Sequence, residues 1–558
     1  MGIENIFNIG STGITANRLA LEVASENIAN VNTPGYSRQR SILETGTTTT
    51  SNGFPLGSGV KLAAVQRSYD ALLQLQMVNG ASSYNQSLSR QTALKQLEPL
   101  FNELTNNGIG DAMQQFFNSW HDLSVNPQGT AERQSVMTRA RILVDNFQQM
   151  SQGLSDTQNN ANAMLSGITA DIADKAKNIA TLNSQIRETE LSGANANELR
   201  DQRELLIRQL SEKAGVRFFE EQDGTTSLYL PGGQELVLGF NYRNVYASNE
   251  NPAKVMVSNA LGNPPPAANA ATDINVTATV GGANNSKGEI GGILQVRDSI
   301  IPSYQDKLNE MANVLAREVN TLHQAGYGLS STSVGKPFFT TAAQNATATS
   351  TSGSTTLSGF TSLRGIAVGM QVTGPGIPAN PPTYVSSTPY STPPAPAGSV
   401  TLSGSAGVGA GAGAFTFTGV NSITFSVAIT DLNDIAAAGN PPAGTPATFG
   451  AGNNVNALAI ADLGVNSNLN FTTGNSSLAG FFNAFTSTVG VDLQNVNNEV
   501  KQGEGFLRQL NTLRESNSGV SLDEELTNLM KYQRAFQGSA KVLTTATEML
   551  DTILGLVR

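Results

Sequence analysis

Residues able to do chemistry are few in this sequence and poorly placed for it. There is no cysteine and there are only two histidines, His121 and His323, so disulfides, thiolate nucleophiles and Cys-ligated zinc are excluded. The histidines are far apart in sequence and show no His-x-x-His or His-Glu-x-x-His spacing, so each reads as a helix-surface residue and not as a metal ligand. Glu220, Glu221 and Asp223 form one acidic cluster beside a strand turn. Paired acids can cleave glycosides, which would suit a surface hydrolase, but no nucleophile with a base and no second acidic motif accompanies them; a solvated turn accounts for the cluster. The stretch Gly404–Gly413 is rich in Gly and Ala and lacks the Lys-Ser/Thr of a phosphate loop. The expectation is therefore no catalytic residue, no metal and no cofactor.

The elements that must position such a protein are legible at both ends. Phe7, Ile14, Leu21 and Ile28 recur every seven residues, with Ile3, Gly10, Asn17, Ala24 and Val31 beside them. That spacing makes a narrow seam for a partner helix, which Asn32, Thr33, Pro34 and Gly35 end. At the other end Ser521 and Glu524 form a capping-box pattern. Leu522, Leu529, Phe536, Leu543, Leu550 and Val557 follow at seven-residue spacing, with Leu526, Gln533, Ala540, Thr547 and Leu554 as a second stripe. The two terminal helices are natural mates. Their second stripes are poor in large apolar residues, and a buried Leu or Phe contributes only about 1.5–3 kcal/mol against about 1–2 kcal/mol of backbone entropy per ordered residue. The ends are accordingly expected to order fully only against neighbouring subunits.

Between the ends the 558 residues should hold several domains. Helical periodicity predicts helices over 71–106, 111–123, 130–191, 197–214, 299–324 and 478–513. Two strand-like runs at 226–230 and 235–239 flank Pro-Gly-Gly as a hairpin. From 331 to 420 the charge nearly vanishes, leaving Lys336 and Arg364 in a Thr-, Ser- and Gly-rich stretch; the echo of 354–359 in 399–404 favours a small β module over disorder. The predicted class is α+β multidomain: paired terminal coiled-coil-like helices, a long helical rod domain and outer β-rich domains inserted between helices. The expected domains are 1–68 with 516–558, 69–215 with 478–515, 216–330 with 421–477, and the inserted module 331–420. Low overall charge, at 14% of residues, and a net charge of −10 argue against nucleic acid, and no basic amphipathic or long apolar run suggests a membrane.

The phrase Ala24-Ser-Glu-Asn-Ile-Ala-Asn-Val-Asn-Thr-Pro-Gly-Tyr36 resembles the N-terminal signature of the flagellar rod, hook and hook-associated protein family. Ser518-Gly-Val-Ser-Leu-Asp-Glu-Glu525 with Tyr532-Gln-Arg-Ala-Phe536 resembles its C-terminal signature. Within that family Ser37-Arg38-Gln39, the segment Ile109–Trp120 and Asp201-Gln-Arg-Glu204 are similar to the hook-associated proteins more than to hook or rod subunits. The resemblance implies an extracellular structural component of the flagellum that forms the hook–filament junction and is needed for filament assembly; a hook or rod subunit is the alternative. It also implies type III export without a cleaved signal peptide and a homo-oligomeric ring or helical axial array. The implied partners are hook protein, the next hook-associated protein, and an export chaperone on the C-terminal helix. The expected assembly interface comprises Phe7, Ile14, Leu21, Ile28, Leu522, Leu529, Phe536, Leu543, Leu550 and Val557. To these are added Asn30, Pro34, Gly35 and Tyr36 from the turn, where Asn30 and Gly35 suit tight backbone conformations and Tyr36 offers an aromatic anchor. Arg38 and Arg40 read as solvated charges, with a salt bridge to an adjacent subunit as the alternative.

Overall fold

The structure, a computed structural model, describes residues 2–51, 54–101, 108–282, 287–330, 333–360, 362–363, 365–389, 398–407, 409–439 and 452–556. Val557 lies outside them, as does most of the proline-rich stretch after residue 389. The chain folds as two compact units: residues 1–89, 165–292 and 498–558 form one, and 90–164 with 293–497 form the other. The helices Thr130–Leu191 and Leu478–Ser518 each contribute residues to both units, and the segment 216–330 drawn from composition is divided between them at residues 292 and 293. The fold is α+β multidomain, with paired terminal helices, long interior helices and β-rich parts inserted among them.

In the first unit the seven-residue pattern folds as expected. Gly2–Ala29 is one helix and Leu522–Leu556 is another. Between the first helix and the rest runs an antiparallel strand pair, Gln39–Thr45 with Val60–Arg67. The register predicted over 165–186 is buried: Leu165, Ile172, Ile179 and Ile186 are all at 1% exposure or less. Asn183 on the same helix donates to the carbonyls of Thr226 (2.9 Å) and Gly239 (2.7 Å) and accepts from Arg203 (3.0 Å), which ties the helix to the four-stranded antiparallel sheet Arg217–Glu220, Thr226–Tyr229, Glu235–Leu238 and Asn241–Tyr242. The Pro-Gly-Gly hairpin at 231–233 joins the second and third of these strands, with both glycines at positive φ.

The second unit is built on aromatic residues. Phe116, Trp120, Phe147, Tyr304, Phe338 and Phe425 share one core; the helices Ile109–Val125, Thr130–Leu191 and Ile301–Ala325 supply the first four and non-helical segments the last two. Six strands between Ala342 and Gly419 close into an antiparallel barrel around a core that includes Leu357, Val372, Val385, Leu402, Phe415 and Phe417. Closure removes the free edges that a Thr- and Ser-rich sheet would otherwise expose. Asn313 fastens the barrel to the helix Ile301–Ala325, donating to the carbonyls of Val368 (3.0 Å) and Val420 (2.7 Å) and accepting from the Val420 amide (2.7 Å).

One sequence expectation is corrected here. His121 is exposed as expected, but His323 is not on a helix surface; it is 1% exposed. It sits in the last turn of its helix, where the core wraps around it, with ring centroids 6.2 Å from Trp120 and 5.4 Å from Phe338. Nδ1 donates to the Lys336 carbonyl at 2.7 Å and Nε2 accepts from the Ala436 amide at 3.0 Å, an arrangement that needs the neutral ring. Burial pushes its pKa down from 6.5 to about 4. In the unfolded chain the ring takes its proton near pH 6.5, so between 6.5 and 4 the unfolded chain binds more protons. Its share of stability is intact above pH 6.5 and is lost as pH falls toward 4, up to about 3 kcal/mol. Denaturant titrations followed by Trp120 fluorescence should show the wild type losing stability across that window more steeply than His323→Gln; parallel profiles would contradict the assignment.

Candidate assembly site

The terminal helices meet through their smallest residues. On the first helix Gly10, Gly13, Ala16, Ala20, Ala24 and Asn27 are buried. A methyl group on Gly13 would come 2.7 Å from the Ser539 hydroxyl, and one on Gly10 would come 3.4 Å from both the Ser539 carbonyl and Leu543. On the last helix the contact runs through Glu525, Leu529, Tyr532, Phe536, Ser539, Leu543 and Ala546, which are buried or half-buried. Small residues let two helix backbones approach closely. They also leave the bulkier neighbours beside the seam instead of within it.

At the base of this pair a polar knot joins four chain segments. Asn27, 1% exposed, uses its whole amide: Nδ2 donates to the Gln39 carbonyl (2.9 Å) and to Glu525 Oε2 (3.2 Å), while Oδ1 accepts from the Tyr36 hydroxyl (2.9 Å) and the Gln39 amide (2.9 Å). Arg38 Nε donates to Glu525 Oε1 at 2.7 Å and its NH1 group to Glu524 Oε2 at 2.6 Å. The Arg38 amide donates to the Ser518 carbonyl at 2.9 Å. The turn also docks on the helix Asn197–Lys213: the Ser37 amide donates to Asp201 Oδ2 at 2.7 Å, and Arg67 pairs with Asp201 (2.8 Å) and Glu204. Gly35, at φ +87°, faces Leu205, whose Cβ would lie 3.3 Å from any Cβ placed there. Burial works against the charge of Arg38, but Glu524 and Glu525 outweigh it and raise its pKa. Burial, followed by the nearby charge of Glu26, raises that of the Tyr36 phenol well above its usual value.

A groove of about 670 Å³ opens between the first helix, the strand Gln39–Thr45 and the start of the last helix. Its charged groups include Arg38 and Glu525, already committed to each other. Elsewhere in the unit Glu220 is paired with Arg200 and Arg203, Glu221 accepts from Ser227, and Asp223 accepts from Thr225. These acids hold a turn together. Among the described residues no group of three or more His, Asp or Glu is gathered to hold a metal ion, and no helix is long and apolar enough to cross a membrane.

The same segments are the ones that match known proteins. A profile described as "Flagella basal body rod protein" matches residues 7–36, "Flagellar basal body rod FlgEFG protein C-terminal" matches 514–556, and "Flagellar hook-associated protein FlgK helical domain" matches 94–339. Flagellar hook-associated protein 1 of Salmonella typhimurium is 28% identical over 572 aligned residues, covering 99% of this chain and 100% of that protein. That of Bacillus subtilis is 23% identical over 89% of this chain and 86% of its own length. The chain is similar along nearly its whole length to proteins named flagellar hook-associated protein 1. The fold agrees: the flagellar hook junction protein FlgK from Burkholderia pseudomallei superimposes with a TM-score of 0.57 at 19% identity, over 79% of this chain and 100% of that one.

The residues expected from the seven-residue pattern divide: those of the first helix fall beside the contact, while Leu529, Phe536 and Leu543 of the last helix take part in it. Phe7, Ile14, Leu21 and Ile28 are half-buried, as are Leu529, Phe536 and Leu543; Leu522 and Leu550 are exposed. The second stripe on each helix is displaced by one residue or fewer from the sequence reading: Glu525, Tyr532, Ser539 and Ala546 take the place assigned to Leu526, Gln533, Ala540 and Thr547. Asn30 and Tyr36 are half-buried and Pro34 is exposed. Asn30 accepts from the Thr33 hydroxyl at 3.0 Å and donates to Glu26, while Tyr36 anchors within its own chain. Arg38 is corrected from a solvated charge to an ion pair, and Glu524 serves Arg38 and not the capping box. Asn27 and Glu525 stand in the two signature phrases but not among the expected interface residues; a polar residue on the seam of each helix was the available signal.

Asn27→Ala would strip partners from the Gln39 amide and carbonyl, and an unsatisfied buried group costs about 1–3 kcal/mol. The helix signal in far-UV circular dichroism should melt earlier in this variant, while Trp120 fluorescence, which reports the other unit, moves less. Unchanged melting of the helix signal would remove the knot from this account.

Proposed function

We propose that this chain is a structural subunit of the bacterial flagellum that forms the junction between hook and filament and is needed for the filament to assemble. The observation that carries the reading is the division of labour on the terminal helices. Within the chain the first helix meets the last through Gly10, Gly13, Ala16, Ala20, Ala24 and Asn27, while Phe7, Ile14, Leu21 and Ile28 beside that contact are only half-buried and Leu522 and Leu550 on the last helix are exposed. A helix with an uncovered apolar flank gains by packing on further copies and on neighbouring axial subunits. The partners are other copies in a ring or helical array, hook protein on one side and the next hook-associated protein on the other. The same exposed flank explains why a chaperone would cover the C-terminal helix before export, which proceeds without a cleaved signal peptide. Asn30, Pro34, Gly35 and Tyr36 shape the turn that sets where these helices present themselves. This assigns a scaffold role and asks no catalysis of the chain.

Deleting the gene separates the junction from the alternative of a hook or rod subunit. The expected cells keep hooks of normal length and carry no filaments; cells without hooks would favour the alternative. With the gene restored, Leu550→Asp should reduce filament number strongly at unchanged protein level, and full filament number would contradict the interface.

A further inference from the structure

Methionine placement divides sharply in this protein. The chain has eleven methionines, and seven of them, Met311 and Met137 among them, are at 6% exposure or less. Three described ones are exposed: Met164 at 40%, Met530 at 52% and Met549 at 46%. Two of those three lie on the helix Leu522–Leu556, each within an exposed apolar stripe. Met530 continues Leu522 and Leu526 at four-residue spacing. Met549 stands seven residues after Val542 and four before Ile553. All six of these side chains are at least 41% exposed. Seven thioethers are thus shielded in the cores, while Met530 and Met549 are exposed on the terminal helix whose apolar flank is proposed above to be covered in the assembly, a reading on which this inference rests.

We infer that Met530 and Met549 are oxidation sites whose modification blocks insertion of the free subunit. The co-reactant is a hydroperoxide such as hydrogen peroxide. The thioether sulfur attacks one peroxide oxygen, the O–O bond breaks, that oxygen remains on sulfur as the sulfoxide, and the other leaves as water. The sulfur is oxidised by two electrons and the peroxide reduced by two. The product places a strong acceptor beside the exposed side chains of Leu526, Leu550 and Ile553, which have no donor to offer. Burying it unpartnered opposes packing. Once the subunit is inserted, the same sulfurs are covered and reaction slows. Exposure to oxidant before insertion is thus the sensitive step, and the damage falls on assembly while both folded cores are spared.

The test uses the full-length protein. Purified chain is treated with dilute hydrogen peroxide and mapped by peptide mass spectrometry, then added to cells that carry hooks and lack their own copy. Met530, Met549 and Met164 should gain one oxygen each before any buried methionine does. Insertion of the treated wild type, scored by filament regrowth, should fall by about tenfold or more, since burying one unpaired polar group is enough for that change. Met530→Leu with Met549→Leu keeps volume and apolar character, and this double variant should insert equally well before and after treatment. Normal insertion of oxidised wild type, equal loss in the double variant, or slow oxidation at Met530 and Met549 would each overturn the inference. Failure of untreated wild type to restore filaments would overturn the junction reading, and this one with it.

Discussion

A single buried amide sets the geometry of the chain's two ends. Asn27 and Glu525 are separated by 498 positions in sequence, yet the Asn27 side chain bonds simultaneously to the last helix, to the strand that follows the signature turn and to Tyr36. Each of its four hydrogen-bonding positions is used. Arg38 then neutralises Glu525, which is buried and would otherwise be an uncompensated charge of the kind that destabilises by several kcal/mol. The amide and the ion pair require each other: Asn27 orients the carboxylate, and Arg38 makes its burial tolerable. Replacing either with an apolar residue leaves the other in a place where it cannot be solvated.

From that fixed base the rest of the helix pair follows. Its contact is close because Gly10 and Gly13 face Ser539 and Leu543, and close contact through small residues buries little apolar area per residue. The pair is thus secured by polar chemistry at one end and by modest packing along the rest. Larger apolar side chains stay on the flanks, half-buried at Phe7, Ile14, Leu21 and Ile28 and exposed at Leu522 and Leu550. The arrangement suits the proposed role, in which the ends pack among neighbouring subunits. Each unit has its own well-buried interior, around Trp120 and His323 in one and around the helix carrying Asn183 in the other.

Much of this was legible in the sequence. The helix 130–191, the buried register Leu165, Ile172, Ile179 and Ile186, the Pro-Gly-Gly hairpin and the β character of the charge-poor stretch all follow from periodicity and turn chemistry, which act locally. The seam was read less well. Large residues at seven-residue spacing attract attention, but Gly10, Ala20 and Ala24 decide the contact because they permit approach, and periodic counting weights them least. The knot was hidden for a different reason. Asn27, Arg38 and Glu525 are ordinary surface types in isolation, and only the fold brings them together across nearly the whole chain. His323 was misplaced by the same blindness: helix position alone does not say that Trp120 and Phe338 will cover its last turn.

Hydrogen exchange followed by mass spectrometry on the free subunit and on the assembled junction tests the central claim most directly. If the knot holds the ends while their flanks await neighbours, protection in the free subunit should be greatest around residues 24–40 and 514–528. It should decline along both helices away from the knot, and rise along their whole length on assembly. Uniform protection of both terminal helices in the free subunit, unchanged in the assembled state, would contradict it.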